Sequence, residues 1–79
     1  MRVEQMANNQ FIIYTEEATY FQSYAVTVAK IEKGDVFIDP KYYKYSNTTS
    51  KYLYRFLAKN SKEIAKEIEE GEIKMEILN

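Results

Sequence analysis

The stretch SNTTSKYLYRFLAKNSKEIAKEIEEGEIKMEIL, residues 46–78, decides the fold, because its apolar spacing changes from helical to extended along the chain. Its first part opens with short polar side chains, which cap helices by accepting hydrogen bonds from free N–H groups. An apolar stripe of helical spacing follows, and it consists of Tyr52, Leu53, Phe56 and Leu57. The sequence therefore predicts a first helix over residues 48–59.

A second helix is predicted after Asn60, which can cap it together with Glu63 three residues later. Its narrow apolar face consists of Ile64, Ala65 and Ile68. Gly71 ends it, and residues 72–78 then alternate between apolar and charged side chains. Such alternation is typical of a strand with one buried face, so a strand is predicted here.

The first half of the chain is rich in β-branched and aromatic residues, which favour strands. Strands are predicted at FIIYT (11–15), YFQSYAVTVAKI (20–31) and residues 35–39. Both faces of the middle strand mix polar and apolar residues, so a bulge near Ser23 fits the pattern. The turn EKGD (32–35) joins the last two strands, and its Gly34 can take a positive φ.

The predicted order of elements is β-β-β-α-α-β, in a single domain over residues 10–79. The fold class is α+β: a small antiparallel sheet that is covered on one face by two short helices. Residues 1–9 carry no apolar run, and they are predicted to form a flexible leader before the domain.

The composition limits the chemistry that the chain can perform. The chain has 79 residues, no cysteine and no histidine, which excludes disulfides, thiol nucleophiles, imidazole bases and the usual zinc ligands. A disulfide-free domain of this size is typical of a reducing compartment, so a cytoplasmic location in a host cell is predicted. No apolar run approaches the roughly 20 residues of a membrane helix, and no membrane partner is expected.

Motifs of the known catalytic classes are missing from the sequence. It has no Gly-rich phosphate loop, no GxSxG or HExxH motif and no acidic calcium loop. Asp35 and Asp39 could form a carboxylate pair for a metal ion, but no third ligand is apparent. We therefore predict a protein that is not an enzyme, with no catalytic residue, no cofactor and no metal site.

Charge is unevenly distributed along the chain, although the formal net charge is only −1. Residues 41–62 carry six basic side chains and no acidic one, and they lie between two acidic segments. Residues 41–59 also hold five tyrosines, which are Tyr42, Tyr43, Tyr45, Tyr52 and Tyr54. A short helix cannot bury all of these rings, so some of them are expected to form an exposed aromatic patch, which often marks a binding site.

Two functional interpretations of this basic segment are open. For a protein partner, tyrosine and arginine are the types enriched at interface hot spots, and the predicted contact residues are Tyr45, Lys51, Tyr54 and Arg55. For nucleic acid, basic side chains neutralise phosphates, tyrosines stack on bases, and free helix N–H groups attract an anion. The predicted anion-binding residues are Ser46, Thr48, Thr49 and Lys44.

A simpler interpretation needs no partner. Tyr52 and Phe56 would belong to the core, Ser46 or Thr48 would cap the helix, and the lysines would keep a sheet edge soluble. This interpretation suits any one of these residues taken alone. For the segment as a whole, the number of aromatic rings favours a binding surface.

The elements FQSY (21–24) and YSNTTSKYLYRFL (45–57), followed by an SKEI…IEEGEI helix and strand, resemble a family of small proteins. That family occurs in phages, prophages and mobile elements, mostly of Gram-positive bacteria, and it carries similar F-Q-S-Y and Y-S-x-T-T-x-K-Y-x-x-x-F-L elements. The resemblance covers roughly residues 20–79, and the chain departs from it at Tyr43, where tryptophan is expected in relatives. No catalytic residue is carried over from it.

The resemblance implies a phage context, in which small domains without catalytic groups act by stoichiometric binding. Such proteins block host defence nucleases, including CRISPR effectors, or tune host nucleic-acid enzymes. The first prediction is therefore a non-enzymatic interaction protein that inhibits a host nuclease or nucleic-acid-handling complex, as an anti-CRISPR does. The alternative is a small nucleic-acid-binding module that uses residues 41–59, and a third possibility is a homodimer with the tyrosines at its two-fold interface.

Overall fold

The computed structural model describes residues 1–79 and contains six strands and two helices. The strands of the first half are β1 (Arg2–Ala7), β2 (Gln10–Tyr14), β3 (Thr19–Ser23), β4 (Val26–Glu32) and β5 (Asp35–Ile38). They are followed by α1 (Asn47–Leu57), α2 (Ser61–Glu69) and β6 (Ile73–Met75). The chain is thus a small α+β domain, as predicted. Neither helix is long and apolar enough to cross a membrane.

All six strands form one mixed sheet, in which neighbours along the chain are also neighbours in space. The strands from β1 to β5 pair antiparallel, whereas β6 pairs parallel to β5. The prediction of an antiparallel sheet is therefore wrong for the last strand. The connection explains the difference: α1 and α2 return the chain to the end of the sheet at which β5 begins, so β6 runs in the same direction as β5.

The segment predicted as a leader, residues 1–9, contains a strand. This strand, β1, pairs with β2 and extends the sheet at its edge. Asn9 takes the left-handed conformation, with φ 62°, in the tight connection between them, and asparagine tolerates this conformation better than most residues. Because the side chains of Arg2–Gln5 are exposed, β1 has no apolar alternation by which its sequence could reveal it.

The segment predicted as one strand, residues 20–31, belongs to two strands. A short turn at Tyr24 and Ala25 separates β3 from β4, and Tyr24 takes a positive φ of 56°. A register shift also lies between Phe21 and Gln22, close to the predicted bulge. The turn and the shift explain why neither face of this segment is uniformly apolar, because side chains change sides of the sheet within it.

Both helices pack on the same face of the sheet and enclose a single core. The register makes Phe21, Ala29 and Ile38 neighbours on that face, and the ring of Phe56 stacks on that of Phe21 with 5.7 Å between centroids. The buried apolar cluster consists of Phe21, Val28, Ala29, Ile38, Leu53, Leu57, Ile64 and Ile73. The apolar stripes predicted for the two helices therefore face the sheet, except that Ala65 of the second stripe is exposed.

Polar side chains fix the beginning of each helix, as the sequence predicts. Ser46 is the N-cap of α1, and its hydroxyl accepts a hydrogen bond from Thr49 N–H at 3.1 Å. Asn60 caps α2, and the Glu63 carboxylate accepts a bond from Asn60 N–H, which completes a capping box. These caps satisfy N–H groups that have no carbonyl partner within the helix.

The segment after β6 is held largely by side-chain hydrogen bonds. The strand itself is shorter than the predicted one over residues 72–78, although Glu76 N–H still donates to the Ile38 carbonyl at 3.0 Å. Further along, the Asn79 amide accepts a bond from Thr27 N–H at 2.9 Å and donates one to the Thr27 carbonyl at 2.8 Å. These bonds tie the segment to β4 and β5.

Candidate functional site

The predicted site lies in the connection between β5 and α1 and in the first turns of α1. Residues 39–46 form this connection, which is built from successive turns. Tyr43 N–H donates to the Asp39 carbonyl at 3.2 Å, and Tyr45 N–H donates to the Tyr42 carbonyl at 3.1 Å. The lysines and tyrosines of the connection are therefore brought next to the beginning of α1.

An open depression of about 750 Å³ lies where the connection meets α1. Its lining residues are Lys44, Tyr45, Ser46, Asn47, Ser50, Lys51 and Tyr54. The structure thus brings together three of the four residues predicted to contact a protein partner, and it adds Lys44 and Ser46 from the predicted anion set. Two lysines and two tyrosines give this depression a basic and aromatic lining.

A second, more apolar hollow of about 530 Å³ adjoins the first one, and Tyr45 and Ser46 line both. Its other lining residues are Tyr24, Ala25, Val26 and Tyr42. Tyr45 is 64% exposed and Tyr24 is 48% exposed, so two phenol rings present much of their surface to solvent here. The residues that line the two hollows are together called the tyrosine surface.

Four basic side chains of the 41–59 segment lie over tyrosine rings. Lys41 lies over Tyr42, Lys44 over Tyr43, and both Lys51 and Arg55 over Tyr52, with 5.2–5.5 Å between cation and ring centroid. The ion pairs of the protein use other cations, namely Lys30, Lys59 and Lys74. Ring faces attract cations, so these four charges are held at the surface and stay available to an acidic group.

One predicted anion-binding residue is inside the protein. Thr49 is fully buried, and its hydroxyl oxygen lies 2.8 Å from that of Ser23 and 3.1 Å from that of Ser46. Its N–H is also taken, because it donates to Ser46. Thr49 therefore cannot serve the predicted anion site. It faces the sheet because the buried stripe of α1 begins one turn earlier than the apolar residues of the sequence indicate.

The other predicted residues at α1 occupy three different positions. Ser46 caps the helix with its side chain as well as lining both hollows. Thr48 is exposed in the first turn, but it lines neither hollow. Arg55 lies one turn beyond Lys51 on the Tyr52 ring and outside the depression.

The β3–β4 turn also contributes to this surface, which the sequence alone did not predict. Tyr24 comes next to Tyr42 and Tyr45 only because the turn places it there. The rings of Tyr42 and Tyr45 pack edge to face, with 5.9 Å between centroids. The available signal was the break in apolar alternation after Ser23, since residues in a hairpin turn are exposed and can carry function.

Asp39 is buried beneath the connection and anchors it. Burial disfavours the ionised carboxyl, but Asp39 accepts hydrogen bonds from Leu78 N–H at 2.9 Å, Lys41 N–H at 2.8 Å and the Asn79 amide at 3.0 Å. These bonds outweigh burial, so the pKa of Asp39 lies below its usual value. Asp35, its suggested partner for a metal ion, forms an ion pair elsewhere.

Fold and site together define a small α+β domain with a basic, tyrosine-rich surface over two adjoining hollows. Residues 1–74 match the model of a family of unknown function, DUF8033, and the chain belongs to this family. The matched range includes β1, which was predicted as a leader. No curated protein and no solved structure matches the chain.

Proposed function

We propose that this protein is a non-enzymatic binding protein that inhibits a host nucleic-acid-handling or defence enzyme, in the manner of an anti-CRISPR. One observation carries the proposal: four cations without carboxylate partners lie on tyrosine rings at and beside two adjoining hollows. Uncompensated cations of this kind attract an acidic partner from a distance and orient it as it approaches. The basic segment is therefore a surface suited to an acidic partner.

The second hollow favours a protein partner over a nucleic acid. Five of its six lining residues are apolar or aromatic, and none is basic. Such a hollow accepts an aliphatic or aromatic side chain, whereas a nucleic-acid strand needs cations along the whole path of its phosphates. The exposed ring of Tyr45 stands between the two hollows, in the central position that is typical of an interface hot spot.

An acidic partner surface also fits the proposed class of target. Enzymes that cut nucleic acids with two metal ions hold these ions with carboxylates, which make the catalytic cleft acidic. A basic surface complements such a cleft without any chemistry of its own, and its occupation of the cleft would exclude the substrate. The resemblance to small phage proteins supplies the biological setting in which inhibition of this kind is useful.

Nucleic acid is the second candidate partner, and the first depression favours it. Lys44 and Lys51 line this depression together with Tyr45, a combination that joins phosphate neutralisation to base stacking. The N–H groups of Asn47 and Thr48 have no carbonyl partner within α1, and they add a preference for an anion. Carboxylates of a protein would suit the basic lining and the free N–H groups equally well. The apolar hollow is therefore the feature that favours a protein partner over a nucleic acid.

The first test is the capture of host proteins on the immobilised full chain, with and without nuclease treatment of the lysate. We expect one host enzyme to be retained after nuclease treatment. Tyr45→Ala should lose it, because the central ring is removed. Met75→Ala is the control, since it truncates another exposed apolar side chain, on β6, that lines neither hollow, and it should retain the enzyme.

The retained enzyme is then assayed with increasing amounts of this protein. We expect inhibition that saturates at a fixed stoichiometric ratio, because the mechanism is occupation of a surface and not turnover. Absence of any retained host enzyme, or equal retention by Tyr45→Ala, would contradict the proposal. Retention that disappears on nuclease treatment would favour the nucleic-acid candidate instead.

A further inference from the structure

The outer edge of β1 is unpaired, because β1 is the first strand of the sheet. An unpaired edge presents a row of N–H and C=O groups to which another strand can bond. Proteins protect such edges with proline, bulges or charged side chains, lysine above all. β1 contains neither proline nor lysine, its two charged residues, Arg2 and Glu4, are opposite in sign, and its one register shift lies at its far end, between Gln5 and Ala7. Residues 2–5, whose side chains are all exposed, therefore form a regular open edge.

The sequence of this edge is complementary to itself. When two copies of β1 pair antiparallel about a two-fold axis at Val3, Arg2 of each copy lies opposite Glu4 of the other. Opposite charges at facing positions stabilise a strand pair. Within one copy, neither Arg2 nor Glu4 takes part in an ion pair, so both are available for this contact.

Both charged side chains are already held in place by one tyrosine. The guanidinium of Arg2 lies 4.2 Å from the centre of the Tyr14 ring, and the Tyr14 hydroxyl donates to the Glu4 carboxylate at 3.0 Å. Residues two apart on a strand share a face of the sheet, so the two charges point to the same side. Because they are positioned in advance, less side-chain freedom is lost when the strands pair.

The face of the sheet that is turned away from the helices gives a second, independent indication. One row of paired residues crosses all six strands on this face, and it consists of Val3, Ile13, Tyr20, Lys30, Phe37 and Lys74. The row is apolar at the β1 end, where Val3 is 55% exposed, and it carries its lysines towards β6. Pairing about Val3 would join two apolar ends into one continuous row and leave the charged ends outermost.

We propose that a second copy of this chain is the partner of β1, and that the six strands of each copy join through Arg2–Glu4 into one continuous sheet. The edge is short, whereas stable interfaces bury about 1,200 Å² or more, so we expect a weak dimer. The dimer therefore forms in a concentration-dependent way. It leaves the tyrosine surface free, since that surface belongs to the β3–β4 turn, the β5–α1 connection and α1.

Sedimentation of the full chain from micromolar to millimolar concentration tests this dimer. We expect a monomer–dimer equilibrium. Glu4→Arg places arginine opposite arginine twice, and it should weaken dimerisation about tenfold. The double variant Arg2→Glu with Glu4→Arg restores two opposite-charge pairs, and it should recover the wild-type dissociation constant. Circular dichroism checks that each variant is folded, which is expected because both side chains are exposed.

A single cysteine at the two-fold position gives a second measurement. The chain contains no cysteine, so Val3→Cys introduces one whose sulfur faces its copy across the axis. We expect a disulfide-linked dimer under mild oxidation, and none from Lys33→Cys, an exposed control in the β4–β5 turn. Three sedimentation results would overturn the proposal: a monomer at every concentration, a dimer that Glu4→Arg does not weaken, or a double variant that stays monomeric. Equal cross-linking of both cysteine variants would overturn it as well.

Discussion

The hydroxyl oxygens of Ser23 and Thr49 lie 2.8 Å apart, in a buried hydrogen bond that fastens the end of β3 to the first turn of α1. Ser46, the cap of α1, donates from its own hydroxyl to Thr49 at 3.1 Å. The three hydroxyl groups fix where α1 begins relative to the β3–β4 turn. They therefore set the distance between the two parts of the tyrosine surface.

Thr49→Val removes this central hydroxyl and conserves the shape of the side chain. The buried hydroxyl of Ser23 loses its partner and the half-buried hydroxyl of Ser46 loses one of its two, so the free energy of unfolding should fall by about 1–2 kcal/mol. Urea unfolding of Thr49→Val, of Ser23→Ala and of the double variant that combines them forms a double-mutant cycle. We expect the double variant to lose less than the sum of the single variants, and additive losses would show that the bond does not couple β3 to α1.

Gln10→Met should stabilise the protein. Gln10 is fully buried on β2, and neither its amide nitrogen nor its amide oxygen has a hydrogen-bond partner. A buried polar group without a partner costs about 1–3 kcal/mol, and methionine has a similar length without that cost. We expect a higher midpoint in urea unfolding with an unchanged slope. A lower midpoint would mean that the amide is satisfied, for example by a buried water molecule.

Asp39 makes the stability of the fold depend on pH. Its pKa in the folded protein lies below the usual value of 3.8, so its contribution is complete well above that value and is lost as the pH falls through the folded pKa. Asp39→Asn should therefore be less stable than the wild type at neutral pH. It should also lose less stability on acidification below about pH 4, where the wild-type carboxylate takes up its proton.

Thermal unfolding of Asp39→Asn and the wild type at several pH values checks this prediction. Asp35→Asn is the matched control, because Asp35 is an exposed carboxylate at the other end of β5, paired only with Lys74. The control should follow the wild type closely. If Asp39→Asn and the wild type lost stability in parallel on acidification, Asp39 would not be the group that confers the pH dependence.

The nucleic-acid candidate predicts a definite response to salt. If Lys41, Lys44, Lys51 and Arg55 all neutralise phosphates of a single strand, the logarithm of the binding constant should fall with that of salt concentration with a slope of about −3. Fluorescence anisotropy with labelled single-stranded and duplex DNA and RNA measures this slope. We expect no nucleic-acid binding with this salt dependence, because the observations favour a protein partner. A slope near −3 would instead make nucleic acid the favoured partner.

The parts of the fold that the sequence predicted are those in which local chemistry and tertiary packing agree. The caps Ser46 and Asn60 and the apolar stripes behind them define both helices to within two residues. The parts that it could not predict depend on partners distant in the chain. β1 has exposed side chains and is a strand only because β2 offers it an edge, and the direction of β6 follows from the path of two helices.

The candidate site shows the same division. Lys44, Tyr45, Lys51 and Tyr54 follow one another within one basic segment, so the sequence could group them. The place of Tyr24 beside them depends on a turn at positive φ, and the break in apolar alternation after Ser23 indicates a turn without showing which residues it brings together. Thr49 was misjudged for a related reason. Its polar side chain suggested an exposed position, but its hydroxyl forms a hydrogen bond with Ser23 inside the protein.

The binding role of the tyrosine surface is best tested by the affinity of the retained host enzyme for two charge-reversed variants, measured by calorimetry. Lys44→Glu with Lys51→Glu reverses both lysines of the depression, whereas Lys33→Glu with Lys62→Glu makes the same change of net charge at exposed positions outside it. We predict that the first variant loses affinity by about a hundredfold or more and that the second binds as the wild type does. Equal affinities of the two variants would contradict the claim that the tyrosine surface is the binding site.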